Sequence, residues 1–203
     1  MNVVLLHCHY DRGGVTSVVL NQMSSLISDD GVQKILLVSA PRSSGLPEHL
    51  PDKVSRFEVS QLDYDLRSFG VDITRQRVSE ISQLLTQLFH QEGLTPRDTI
   101  LHWHNHSLGK NVALPGVVKE LATDGWRSML QIHDFAEDYR PLNYSNLIRA
   151  IGANDSSTVD HYLYPVAPQI HYCTLTRSDA EILQQRGVPN HTIGFLPNSV
   201  AFD

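Results

Sequence analysis

Apolar runs of strand length alternate with helical patterns along nearly the whole of this chain, and that alternation leaves few folds open. Asn2–Cys8 reads as a strand and Val15–Leu26 as a helix, with Val15, Val18, Val19, Gln22, Met23 and Leu26 on one face. Strands are expected again at Lys34–Ser39 and Lys53–Val59. A long helix follows, capped by Asp72 and running through Gln91, with Ile73, Val78, Ile81, Leu84, Leu85, Leu88 and Phe89 in one stripe. Thr99–Trp103 predicts a fourth strand, Leu108–Ala122 a helix and Ser128–Ile132 a fifth strand. Ile170–Leu175 predicts a sixth, followed by a helix over Ser178–Arg186 that stops at Gly187, and Thr192–Leu196 a seventh. Strands separated by helices need crossovers, and crossovers build parallel sheets. The expected fold is therefore α/β: a single Rossmann-like, doubly wound, mainly parallel sheet with helices on both faces. The stretch 141–168 breaks the rhythm and reads as a long irregular excursion with a helical turn or two.

A chain of 203 residues with 41% apolar and 19% charged residues can bury one large core. Its net charge of −6 and the lack of a basic stripe argue against a nucleic-acid partner. No apolar run approaches the roughly 20 residues of a membrane span, so at most peripheral membrane association is expected. The N-terminus enters a strand without a basic leader, and Cys8 and Cys173 both fall in expected strands. They read as reduced core residues of a cytoplasmic protein.

Ligands of a doubly wound sheet bind beyond the carboxyl ends of its strands. The first expected strand runs into His9-Tyr10-Asp11-Arg12-Gly13-Gly14 and the fourth into His104-Asn105-His106-Ser107. The fifth runs into His133-Asp134-Phe135 and the sixth into Thr176-Arg177-Ser178-Asp179. Gly13-Gly14 opens the first helix, where a missing Cβ and unpaired N–H groups let an anion approach the backbone, although paired glycines also make plain turns. Ser178 and Asp179 also suit an ordinary helix N-cap. An imidazole at a strand mouth, as at His133, can hydrogen-bond a polyol.

The run His102-Trp103-His104-Asn105-His106 raises a metal site, because alternation puts three imidazoles on one side if the strand continues. No Cys or carboxylate stands at ligand spacing beside it, so no metal and no other cofactor is expected. A zinc hydrolase using His102, His104 and His133 is the weakest functional alternative. The chain has no Gly-x-Gly-x-x-Gly after its first strand, no acidic residue ending its second, no P-loop and no Gly-x-Ser-x-Gly elbow.

Several of these segments together resemble the amino-terminal half of a retaining GT-B glycosyltransferase of family 4. They are Gly13-Gly14 with Val15 to Leu20, Leu101-His102-Trp103-His104, Ile132-His133-Asp134 and Leu175-Thr176-Arg177-Ser178. Gly187-Val188-Pro189, Ile193 and Leu196-Pro197-Asn198-Ser199-Val200 complete the set, with Ser199 where the family usually has glycine. The resemblance implies an N-terminal domain over residues 1–196 and the start of a linker over 197–203, leading to a C-terminal domain that carries a Glu-x7-Glu motif and is absent here. It implies a nucleotide-sugar donor and a polar acceptor. Arg12, Gly13 and Gly14 would approach the donor diphosphate, and His133 would serve catalysis beside the donor sugar. His9, His104, Asn105, His106, Asp134 and Arg177 would line the acceptor cleft, with His9, Arg12, His104, His133 and Arg177 at least partly accessible. Alone, the chain would transfer no sugar. A non-catalytic sugar- or phosphate-binding module is the alternative from another class.

Overall fold

The chain's most apolar segments become its innermost strands. In a computed structural model, which describes residues 1–138 and 140–198, β1 (Asn2–Leu6) and β2 (Lys34–Ser39) are almost wholly buried. Helix α1 (Gly14–Ile27) joins them. Then come β3 (Val54–Glu58), α2 (Val71–Gln91), β4 (Thr99–His104), α3 (Leu114–Thr123) and β5 (Arg127–Ile132). Next are α4 (Pro141–Ile151), α5 (Ser156–Leu163), β6 (Ile170–Thr174), α6 (Arg177–Gln185) and β7 (Ile193–Phe195). The strands form one seven-stranded sheet in the order β3-β2-β1-β4-β5-β6-β7, and every neighbouring pair is parallel.

Alternation along the strands divides the core in two. Val3, Leu5, Ile35 and Leu37 face Val19 and Met23 of α1. Leu36, Val38, Leu101, Trp103, Leu130 and Ile132 face the opposite layer, which includes Ile81, Leu85 and Phe89 of α2 and Val117 and Leu121 of α3. The chain is thus Rossmann-like, wound in both directions from β1 and β4. The strand order reverses there, and a crevice at the carboxyl ends follows.

The differences from the sequence-based expectations have local causes. Strand β1 ends at Leu6, so Cys8 lies past it, buried and free all the same. Gly70, not Asp72, caps α2, and Asp72 stands in the first turn. Ile73 and Leu84 are exposed while Thr74 and Ser82 are buried, so the α2 stripe is rotated from the one the apolar residues suggest. Helix α3 starts at Leu114, with a loop from Asn105 in place of its expected first turns. The stretch 141–168 holds two helices: Pro141 starts α4 and Gly152, in the left-handed region at φ 66°, ends it. Asp155 then caps α5 by accepting from the Thr158 N–H. Ser199–Asp203, and with them most of the expected linker, lie outside the described residues.

Candidate functional site

Parallel register sets His104 of β4 opposite Gln131 of β5, and the same alternation carries His102, His104, Gln131 and His133 onto the α1 face. The His102 and His104 rings stack at 4.4 Å between centroids, and His104 and His133 at 5.3 Å. His104 Nδ1 and His133 Nε2 share a hydrogen bond of 3.0 Å, and His102 Nε2 meets Gln131 Oε1 at 3.0 Å. Gln22 of α1 donates to the same Gln131 oxygen at 2.7 Å. One strand further, His7 Nδ1 lies 2.9 Å from the His104 carbonyl oxygen and donates to it. The result is a row of imidazoles from the sheet interior to the mouth.

Burial sets the charge of that row. It is the main cause that lowers His7 and His102 to about 4, and it pushes His104 well below the usual histidine range. His133 is half-buried and is lowered too, again mainly by burial, with Asp134 opposing. These side chains are therefore neutral near pH 7, and one nitrogen of each is a donor. His104 Nε2 is buried without a hydrogen-bond partner. If His104 Nδ1–H is the donor to His133, the unpartnered atom is a lone pair; the reverse choice strands a buried N–H. The first arrangement costs less, and it puts the His133 proton on Nδ1, facing the mouth.

Asn105 holds the turn that presents His133. Its backbone sits at φ 55°, a conformation that asparagine tolerates better than most residues. Its Oδ1 accepts from the His133 N–H at 2.8 Å and the Asp134 N–H at 3.2 Å, and its Nδ2 donates to Asp134 Oδ2 at 3.1 Å. The left-handed turn also redirects the chain. His106 does not share a face with His102 and His104 but bonds the Leu163 carbonyl of α5 at 3.0 Å on the other side of the sheet. His104, Asn105 and His106 are all buried, so the expected accessibility of His104 is not met. The three-imidazole arrangement that raised the metal reading does not form, and among the described residues no group of three His, Cys, Asp or Glu is placed to hold a metal.

On the other side of the switch point, Arg12, Gly13 and Gly14 are exposed at the start of α1. Gly13 is extended, and a Cβ on Gly14 would meet nothing within 4 Å. The loop is anchored from behind. Asp11 pairs with Arg42 at 2.9 Å and accepts from Ser44 Oγ at 2.9 Å, and Thr16 Oγ1 donates to the Asp11 carbonyl at 2.7 Å. Gly45 donates its N–H to the Tyr10 carbonyl at 2.8 Å, and a Cβ there would lie 2.9 Å from both Tyr10 O and Arg12 N. His9, half-buried, meets Tyr64 Oη at 2.9 Å. Arg177 is exposed at the first position of α6, where Thr176 and Asp179 form a reciprocal capping box. Asp179 therefore has the structural role and Thr176 is the cap itself.

Over 209 aligned residues the chain is 31% identical to the mannosylglucosyl-3-phosphoglycerate synthase of Petrotoga mobilis (strain DSM 10674 / SJ95). The alignment takes in 99% of this chain and 37% of the synthase, so the chain spans little more than a third of that relative's length. No family model matches the chain.

The similarity thus extends over both halves of the crevice. Sequence reasoning had missed His7, Tyr64, Lys110 and Arg42 there. His7 was hidden inside an expected strand. Tyr64 and Arg42 lie in loops whose partners are far along the chain, and only the fold brings them to His9 and Asp11. Period-two spacing marks His102 and His104 of the imidazole row, and the strand mouth marks His133.

Proposed function

We propose that this chain is the acceptor-side half of a retaining GT-B glycosyltransferase of family 4 type, moving a hexosyl group from a nucleotide sugar to a polar acceptor. The observation that carries the reading is the likeness to a glycoside-forming synthase over 99% of the chain. The geometry fits it. In such a transfer the anomeric carbon exchanges its bond to a diphosphate oxygen for a bond to the acceptor oxygen, and negative charge gathers on the leaving diphosphate. The exposed first turn of α1, with Arg12, Gly13 and Gly14, offers N–H dipoles and a cation to that charge without reorganisation. His133 presents Nδ1–H at the mouth as a donor to a sugar hydroxyl, and His9, Asp134 and Arg177 are the rim groups left for the acceptor. The catalytic constellation is completed by a second, C-terminal domain that binds the nucleotide, and the assembled enzyme works in the cytoplasm.

The test is a two-arm assay with nucleotide sugars. The protein joined to its C-terminal domain is expected to transfer sugar with retained anomeric configuration, and residues 1–203 alone to transfer none. Robust turnover by residues 1–203 would overturn the divided-site reading.

A further inference from the structure

Beside the crevice lies a cavity of about 210 Å³, lined by Tyr64, Asp65, Arg67, Ser68, Gly109, Lys110, Val112, Asn143 and Asn146. Its charges are unbalanced. Arg42, next to it, is consumed by Asp11 and Asp63, and Arg140 reaches Asp134 at 3.6 Å. Asp65, the cavity's one carboxylate, pairs with Arg77 at 2.8 Å and accepts from the Val112 N–H at 2.8 Å. Lys110 and Arg67 have no carboxylate within ion-pair distance among the described residues. Lys110 is half-buried, and its ammonium lies 4.3 Å from the Tyr64 ring centroid and donates to Tyr64 Oη at 3.2 Å.

A hydrogen-bond donor stands there as well. The Asp11 N–H donates to His9 Nδ1 at 3.3 Å, so His9 carries its proton on Nε2 and donates to Tyr64 Oη. Tyr64 Oη then accepts from both His9 and Lys110, and its own O–H is left for a further acceptor. Burial, first among the causes, raises the Tyr64 hydroxyl to about 12, which keeps that proton in place. A half-buried ammonium without a counter-ion is a costly arrangement that a bound anion relieves.

We propose that this cavity is an anion subsite in which Lys110, Arg67 and the Tyr64 hydroxyl hold a phosphate or carboxylate group of the acceptor. Lys110 supplies the charge nearest the crevice, Tyr64 links the subsite through His9 to the strand mouth, and Asn143 and the amide nitrogen of Asn146, whose oxygen accepts from Ser68 Oγ at 2.6 Å, offer further polar contacts. The word acceptor rests on the glycosyl-transfer reading; the anion subsite itself does not.

The experiment has a binding arm and a kinetic arm. In the first, 3-phosphoglycerate is titrated into the 203-residue chain and followed by amide shifts and calorimetry. Shifts centred on residues 64–68, 109–112 and 143–146 are expected. Lys110→Met should weaken binding about ten- to a hundredfold, as for the loss of a charge-assisted contact, and Lys110→Arg should restore most of it. Arg67→Ala gives a second variant if Lys110→Met unfolds: the side chain is exposed and lies against the Phe69 ring, 5.5 Å from the guanidinium carbon to the centroid. Binding unaffected by both charge-removing variants, or shifts confined to the α1 turn, overturns the subsite. In the second arm, on the two-domain enzyme, Lys110→Met should raise the acceptor KM and leave the donor KM unchanged. Lys110-dependent binding in a protein that transfers no sugar keeps the subsite and removes the proposed function. Sugar transfer with an acceptor KM indifferent to Lys110 and Arg67 does the reverse.

Discussion

At the scale of single residues, the imidazole row ties chemistry to packing. His133 is stacked and hydrogen-bonded to His104, so its removal touches the fold more than a free surface side chain would. In the two-domain enzyme, His133→Ala is expected to slow turnover ~10²–10³-fold, as for loss of a donor that strengthens in the transition state. The same change should cost about 1–2 kcal/mol of stability, because it strips His104 Nδ1 of its partner. Paired kinetics and thermal melts check this: an unchanged rate removes His133 from the site. Asn105 gives a second test. Asn105→Ala loses three hydrogen bonds and places a less tolerant residue at φ 55°, for roughly 2–4 kcal/mol. Asn105→Gly keeps the backbone at ease and loses only the bonds, so it should melt higher than Asn105→Ala. Equal melting temperatures would show that the left-handed turn carries no strain worth relieving. Sequence alone put Asn105 and the pair His133-Asp134 at the ends of two different strands on one rim. It could not say that Asn105 clamps the other two, since that depends on register between neighbouring strands.

At the scale of elements, local signals were legible where they were self-sufficient. β2 and β5 follow their apolar runs, and α6 ends where Gly187 said it would. The two helices within 141–168 carried their signals too: Pro141 at a helix start, Gly152 at a helix end, and Asp155 three residues before Thr158. Those signals were outweighed by the density of loop-forming residues around Asn154. The late start of α3 was not legible, because the segment from Asn105 to Ala113 is held by distant partners. Asn111 Nδ2 donates to the carbonyls of Gln61 and Asp63 at 2.8 Å each. The glycines of the phosphate-approach loop make opposite predictions. Gly14 has open space around it and no left-handed backbone, so Gly14→Val should change stability by less than about 1 kcal/mol while impairing diphosphate approach and turnover. Gly45 touches the loop from behind, and Gly45→Ala should displace residues 10–12 at a cost of about 1–3 kcal/mol, the usual range for overpacking. A Gly14→Val protein with normal melting and normal turnover would detach the α1 turn from the donor.

At the scale of the whole molecule, the buried imidazoles make folding depend on pH in a definite window. Burial is the largest cause that lowers His7, His102 and His106 from an ordinary 6.5 to about 4, and it pushes His104 well below the usual histidine range too. Hydrogen bonds to the His104 carbonyl, Gln131 and the Leu163 carbonyl oppose burial at the first three and do not overcome it. In the unfolded chain these groups take up protons near pH 6.5; in the folded chain they stay neutral until about pH 4. The unfolded state therefore binds more protons between those values, and stability that is fully present above about pH 6.5 is lost as the pH falls toward 4. Each group contributes a slope of up to about 1.4 kcal/mol per pH unit, so several acting together should lower the melting temperature steeply between pH 6 and 4.5. Carboxylates such as Asp11, Asp98 and Asp155, which hydrogen bonds hold below their ordinary 3.8, act only at lower pH and cannot produce this slope. Thermal melts across pH 7.5 to 4.5 decide it, with His102→Gln as the control: the variant should show a shallower dependence because one buried base is gone. A melting temperature flat down to pH 4.5 would mean that the imidazole row is hydrated and titrates freely. The row could not then fix the His133 tautomer on which the sugar-hydroxyl contact depends.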